Sequence, residues 1–163
     1  MPMFREVENR GIPCHLFGYI LDAEENSGFF ENQDIYFSAL GDGAAELEIP
    51  VAPMHYNSME IVHGGVLAGL LDSAMGMALL TKNKAGVTTS MSIHYLKSAK
   101  KGDVLRAKAT VVRNGRTMVY CEAKIFNQRE EVLAIGQGAF LVQIDDFVQV
   151  YAAKLRAQDV QEQ

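Results

Sequence analysis

Residues Ile61 to Leu80 form a run in which only His63, Asp72 and Ser73 are polar. Any fold of this chain has to accommodate it. A membrane span needs about 20 unbroken apolar residues, and a carboxylate at mid-span is costly. Asp72 therefore marks a buried helix of a globular protein, running from Gly64 to about Thr81. Lys82-Asn83-Lys84-Ala85-Gly86 closes it, with basic residues near the negative end of the helix dipole and then a glycine. A helix that is apolar nearly all round cannot lie on a solvent-facing surface. A sheet must wrap it, and the face left open calls for a second subunit.

Strand patterns lie on both sides of this helix. Ile35 to Leu40, the turn signal Gly41-Asp42-Gly43, and the alternating run Ala44 to Val51 read as a hairpin. Four strand-like runs follow the helix: Val87–Lys97, Val104–Arg113, Thr117–Asn127 and Val132–Gln143. Asn114-Gly115 between two of them predicts a type I′ hairpin turn, which needs positive φ twice. These signals predict an α+β chain, an antiparallel sheet of about six strands around one long central helix, with the last four strands as a meander. At 163 residues this is a single domain. Residues 1–32 read as an N-terminal extension of short helices packing through Phe17, Tyr19, Ile20 and Leu21. Residues 33–145 hold the sheet and helix. Residues 146–163 form a tail with a frayed helix from Val150 and a disordered Gln161-Glu162-Gln163.

Composition removes several classes of function. Lys plus Arg is 15 and Asp plus Glu is 20, a net charge of -5, unlike a domain that binds nucleic acid through its phosphates. Cys14 and Cys121 are too few for a disulfide framework and read as reduced thiols. The first residues carry acids early and lack an apolar signal region, so a cytoplasmic protein without a membrane span is expected. His15, His55, His63 and His94 show no metal-ligand spacing, and no Gly-x-Ser-x-Gly elbow offers an acyl-enzyme serine.

The chemistry-bearing residues cluster on and around the helix. Asp72 has only Ala68, Gly69, Met75 and Gly76 as helical neighbours, so its charge needs a hydrogen bond or a cleft. Each glycine costs a helix interior about 1 kcal/mol relative to Ala, which signals close approach by a backbone, a partner helix or a ligand. His63-Gly64-Gly65 opens the helix, where backbone N–H groups lack internal acceptors and can polarise a carbonyl oxygen. A plain turn with His63 as the cap is the alternative. Asp72 lies about 12 Å along the axis from Gly64, a separation bridged most simply by a facing subunit. Asn57 can donate to the same carbonyl or orient a water. On a strand of period two, Thr88, Ser90, Ser92 and His94 share one face. A hydroxyl of Thr88 or Ser90 could position water, unless that face is simply solvated.

Asn57, Val62-His63-Gly64-Gly65-Val66-Leu67-Ala68 and Leu71-Asp72 together resemble the signature of the hotdog-fold acyl-CoA thioesterases, in the PaaI-like branch of the 4-hydroxybenzoyl-CoA thioesterase superfamily. Tyr95-Leu96-Lys97, Gly102-Asp103, Asn114-Gly115-Arg116-Thr117 and Gly136-Gln137-Gly138 extend the likeness over about 35–143. The resemblance implies a sheet curled around one helix, a homodimer or homotetramer, and hydrolysis of an acyl-CoA to acid and CoA. By the same resemblance Asp72 is the general base or nucleophile, Gly64 the backbone donor, Asn57 the polar group near the carbonyl and Thr88 the water-positioning hydroxyl. His63, Gly65, Ser90 and Arg116 are assigned to substrate binding. No metal or separate cofactor is implied, since CoA enters as part of the substrate. The chain has Gly138-Ala139-Phe140 where Gly-Thr-Phe is common, and Lys97-Ser98-Ala99 where Pro commonly follows the basic residue. A hydratase or dehydratase on the same fold, or a non-catalytic acyl- or CoA-binding module, are the alternatives.

Overall fold

The computed structural model describes residues 6–25 and 27–161. The chain forms β1 (Glu8–Arg10), α1 (Cys14–Glu25), α2 (Gly28–Asn32), β2 (Tyr36–Gly41), β3 (Ala44–Pro50), α3 (Gly64–Leu80), β4 (Ala85–Tyr95), β5 (Val104–Asn114), β6 (Met118–Phe126), β7 (Val132–Ile144) and α4 (Phe147–Gln161). One seven-stranded sheet runs β1-β2-β3-β5-β6-β7-β4. All neighbours are antiparallel except β1, which joins β2 in parallel. The long helix α3 packs against β2 through β7, so the sheet wraps it. Among the described residues no helix is long and apolar enough to cross a membrane.

Three expectations need correction. The last four strands are not a simple meander, because β4 does not pair with β5. The helix carries the chain across the sheet, so β4 lands on the far edge against β7, and β3 and β5 become neighbours. Adjacency in sequence hid this crossover. The turn at Asn114-Gly115 is not type I′, since neither residue takes a positive φ. Gly115 is needed for space instead: a Cβ there would sit 2.4 Å from the Met118 carbonyl oxygen. The C-terminal helix begins at Phe147, not Val150, and continues through Gln161; Glu162 and Gln163 lie outside the described residues, as do Met1 to Arg5.

The core explains the tight wrap. Leu70, Leu71, Met75 and Leu79 of α3 are fully buried against Leu47, Ile49, Leu105, Ile125, Leu133 and Phe140. Two glycines of β7 make room for the helix: a Cβ on Gly136 would lie 3.2 Å from Leu71 Cδ1, and one on Gly138 3.1 Å from Met75 Cε. Leu16 and Ile20 of α1 join the same core, with Phe147 and Tyr151 of α4. Asn83, in the left-handed region at φ 60, seats α4 by accepting the Phe147 and Val148 N–H groups on its carbonyl and side-chain oxygens. The Tyr151 hydroxyl then donates to Asp22 of α1 at 2.8 Å. Val66, Ala68, Gly69, Asp72, Ser73 and Gly76 of α3 are only half-buried. They form one open face of the helix.

Gly138→Val should overpack the Met75 contact and destabilise the fold by about 1–3 kcal/mol. In a Met75→Ala background the same change should cost less. Denaturant unfolding of the four variants of that cycle measures both.

Candidate active site

Asp72 lies on the open face of α3, midway along the helix. Its neighbour from the sheet is Thr88, whose hydroxyl donates to Asp72 Oδ1 at 2.8 Å. A strand of strict period two would have turned Thr88 to the same face as Ser90, away from the helix. A β-bulge changes this. Thr88 opposes Phe140 and Ser90 opposes Ala139, so Thr89 is an extra residue on β4. Phe140 points into the core, and directly paired residues share a face, so Thr88 faces α3 and Ser90 faces the other way. The Thr89 hydroxyl secures the bulge by donating to the Ala139 carbonyl at 3.0 Å. Bulges re-aim side chains in this manner. The structure thus joins Asp72 with Thr88 and leaves Ser90 on the outer face.

The start of α3 is built around its cap. His63 Nδ1 accepts the Gly65 N–H at 2.8 Å, and the Val66 N–H reaches the His63 carbonyl at 2.9 Å. His63 is therefore the N-cap, its Nδ1 lone pair is occupied, and the Gly65 N–H is spent. No acceptor for the Gly64 N–H exists among the described residues, so this donor is free at the positive end of the helix. Tyr95, at an inward-facing position of β4, packs its ring on Gly64 and donates its hydroxyl to the Gly64 carbonyl at 3.2 Å.

Asn57 shapes the loop before the helix. Its Oδ1 accepts the N–H groups of Met59 (2.9 Å) and Ile61 (3.4 Å), which leaves the Nδ2 donors facing outward from that bond. His55, fully buried, accepts the Ala52 N–H on Nδ1 at 3.0 Å and donates from Nε2 to the Gln33 carbonyl at 3.1 Å. Its own carbonyl receives the His63 N–H at 2.8 Å. This histidine ties α2 to the helix cap, a role with no local signal in the sequence.

The basic residues divide between the two ends of α3. Arg116 is exposed in the β5–β6 turn, beside Asn114 and Gly115, which accept from Lys84 at 3.0 and 3.1 Å. That places it near the C-terminal end of a helix about 24 Å long, away from Gly64 of the same chain. The Val62 N–H bonds the Ala99 carbonyl at 3.0 Å, which brings exposed Lys100 and Lys101 to the Gly64 end. Lys97 there is held by Glu131, whose carboxyl is lowered to about 2 by Lys97 first and then by Asn127 and Arg129. Burial pushes the Cys121 thiol up to about 12, which keeps it a thiol and not a nucleophile. Among the described residues no group of three or more His, Cys, Asp or Glu could hold a metal.

The thioesterase superfamily model matches residues 59–134, a span that contains both Gly64 and Asp72. Human acyl-coenzyme A thioesterase 13 is 33% identical over 98 residues, covering 59% of this chain and 69% of that protein. The chain belongs to the thioesterase superfamily. Within the superfamily, acyl-coenzyme A thioesterase PaaI of Escherichia coli is 27% identical over 114 residues, 70% of this chain and 81% of that protein. The solved E. coli PaaI structure matches the fold with a TM-score of 0.77 over 81% of this chain and 96% of that one. A hypothetical thioesterase of Streptococcus pneumoniae, solved with coenzyme A, is 28% identical, with a TM-score of 0.67 over 69% of this chain and 90% of that one. That protein has also been solved with an aspartate and, separately, a threonine replaced by alanine. The two replaced positions are sixteen residues apart, the same separation as Asp72 and Thr88 in this superfamily member.

His63→Ala should remove the cap and destabilise the chain by about 1 kcal/mol. His63→Asn, which keeps a side-chain acceptor at the cap, should recover most of that loss in the same unfolding measurement.

Proposed function

We propose that this chain hydrolyses acyl-CoA thioesters as an oligomer in which facing protomers complete the site. The observation that carries this reading is the Thr88 hydroxyl on the Asp72 carboxylate, on a helix face that its own chain leaves open. The Gly64 N–H, with the Asn57 amide, would donate to the thioester oxygen where it gains negative charge. Asp72 of the facing protomer would take the proton of a water as that water attacks the carbonyl carbon. Thr88 fixes Asp72 through Oδ1 and leaves Oδ2 for the water. The tetrahedral intermediate then expels the CoA sulfur, which recovers a proton, and the acid is released. The aspartate and threonine chosen for replacement in the S. pneumoniae protein, at the same spacing, support this pairing.

The same proposal assigns the CoA phosphates to the neighbourhood of Lys100 and Lys101, beside the Gly64 end. His63 and Gly65 then shape the binding end instead of donating, because they are bonded to each other. In this arrangement Arg116 reaches a substrate only from a neighbouring protomer. Two free thiols, one exposed and one buried, support a reducing cytoplasmic setting.

The open face of α3 and the eleven-residue edge strand β4 call for a second copy. Light scattering should find at least a dimer at micromolar concentration, and a folded, active monomer would contradict the shared site.

Asp72→Asn keeps shape and removes basicity. Turnover should fall by at least about 100-fold, with thermal midpoint and oligomer size unchanged. Thr88→Val, which loses a hydrogen bond to a charged group, should lower turnover by about 10–100-fold, and Thr88→Ser should retain most of it. Thiol release from a panel of acyl-CoAs reads all three. Near-normal turnover in folded Asp72→Asn would favour a binding module, and consumption of enoyl-CoA without thiol release would favour a hydratase.

A further inference from the structure

The short helix α2 sends its two phenylalanines in different directions. Phe30 is buried, with its ring 5.6 Å from that of Phe37. The Ile35 N–H closes the next turn on the Phe30 carbonyl at 2.9 Å, and the Gln33 carbonyl is held by the buried His55 at 3.1 Å. With α2 fixed in this way, Phe29 is left 49% exposed. Its ring rests on α3 where that helix has no side chain. A Cβ on Gly69 would lie 2.6 Å from Phe29 Cζ and 3.3 Å from Cε1. Gly69 falls between Gly64 and Asp72, three residues before the carboxylate, and residues at that spacing share a helix face.

The surroundings give this ring a use. Gly65, Ala68, Gly69 and Ser73 on the open face carry short side chains or none and offer little apolar surface. Phe29 is a large apolar side chain that the chain itself lays on that face, against Gly69. An acyl group whose carbonyl is held between a Gly64 N–H and an Asp72 carboxylate needs such a surface beside the reacting carbon. We infer that Phe29 forms the wall of the acyl pocket and sets the length of the acyl chain accepted. This rests on the thioesterase reading above and adds a specificity-determining residue from outside the segment 59–134 that the superfamily model matches. Gly69 acts with it, because only a residue without a Cβ lets the ring lie down on the helix.

The test compares kcat/KM over straight-chain acyl-CoAs from acetyl to palmitoyl, with light scattering and thermal midpoints on the same full-length preparations. Phe29→Ala should move the optimum toward longer chains. The ratio of kcat/KM for a chain beyond the wild-type optimum to that at the optimum should rise at least about tenfold. Gly69→Ala should displace the ring and alter the profile in the wild-type background, yet change nothing further in Phe29→Ala, a non-additivity that pure destabilisation would not produce. Should Phe29→Ala fail to fold, Phe29→Leu should shift the optimum in the same direction by less. A profile that keeps its shape in active variants, with or without loss of oligomer, overturns the inference and leaves the hydrolase reading standing. Absence of thiol release by the wild-type protein from every member of the panel removes both.

Discussion

Burial of α3 governs the architecture. A helix this apolar is stable in water only when covered, and the chain covers it from six strands. Much else follows from that requirement. The glycines of β7 let the sheet come close. Passing α3 beneath the sheet forces the crossover that sends β4 to the far edge. Helices α1 and α4 clasp each other through Tyr151 and Asp22 and add their own apolar residues to the core. Cover still runs out along one face, and the half-buried carboxylate stands there.

The polar groups on that face are held by local devices, each with a definite donor and acceptor. The bulge at Thr89 turns one hydroxyl inward, and the His63 cap consumes one helix-terminal donor while leaving the preceding one free. His55 couples the cap to α2 by using both ring nitrogens and its carbonyl. That arrangement needs a neutral ring with the proton on Nε2. It mechanically links the loop before α3 to the segment that carries Phe29.

The sequence was most informative where structure is local. The long helix, the Gly41-Asp42-Gly43 turn and the strand runs follow from periodicity and turn chemistry over a few residues. What escaped depends on contacts far apart in the chain. Thr88 and Ser90 looked equivalent because a bulge leaves no mark in an alternating pattern of hydroxyls. The place of β4 was hidden because pairing with β7 skips two strands. Strand β1 is three charged or polar residues held by its neighbour, without any alternation of its own. His63 was legible as a candidate cap, and hydrogen-bond geometry makes it the N-cap of α3. Phe29 and His55 carried no motif at all; their significance is purely one of position.

The crossover also has a bearing on how the chain is made. Thr88 pairs with Phe140, so β4 leaves the ribosome roughly 50 residues before its partner, a wait of about 3–10 s at about 5–20 residues per second. During that interval Met91 and Ile93 have no sheet to rest on, and the strand offers unpaired N–H and C=O groups to any other nascent chain. Hairpins β5–β6 and β6–β7 can close as they emerge. The final geometry of the Asp72–Thr88 pair, set by the bulge against β7, thus waits for that strand, and a chain interrupted before β7 presents an adhesive strand with that pair unformed.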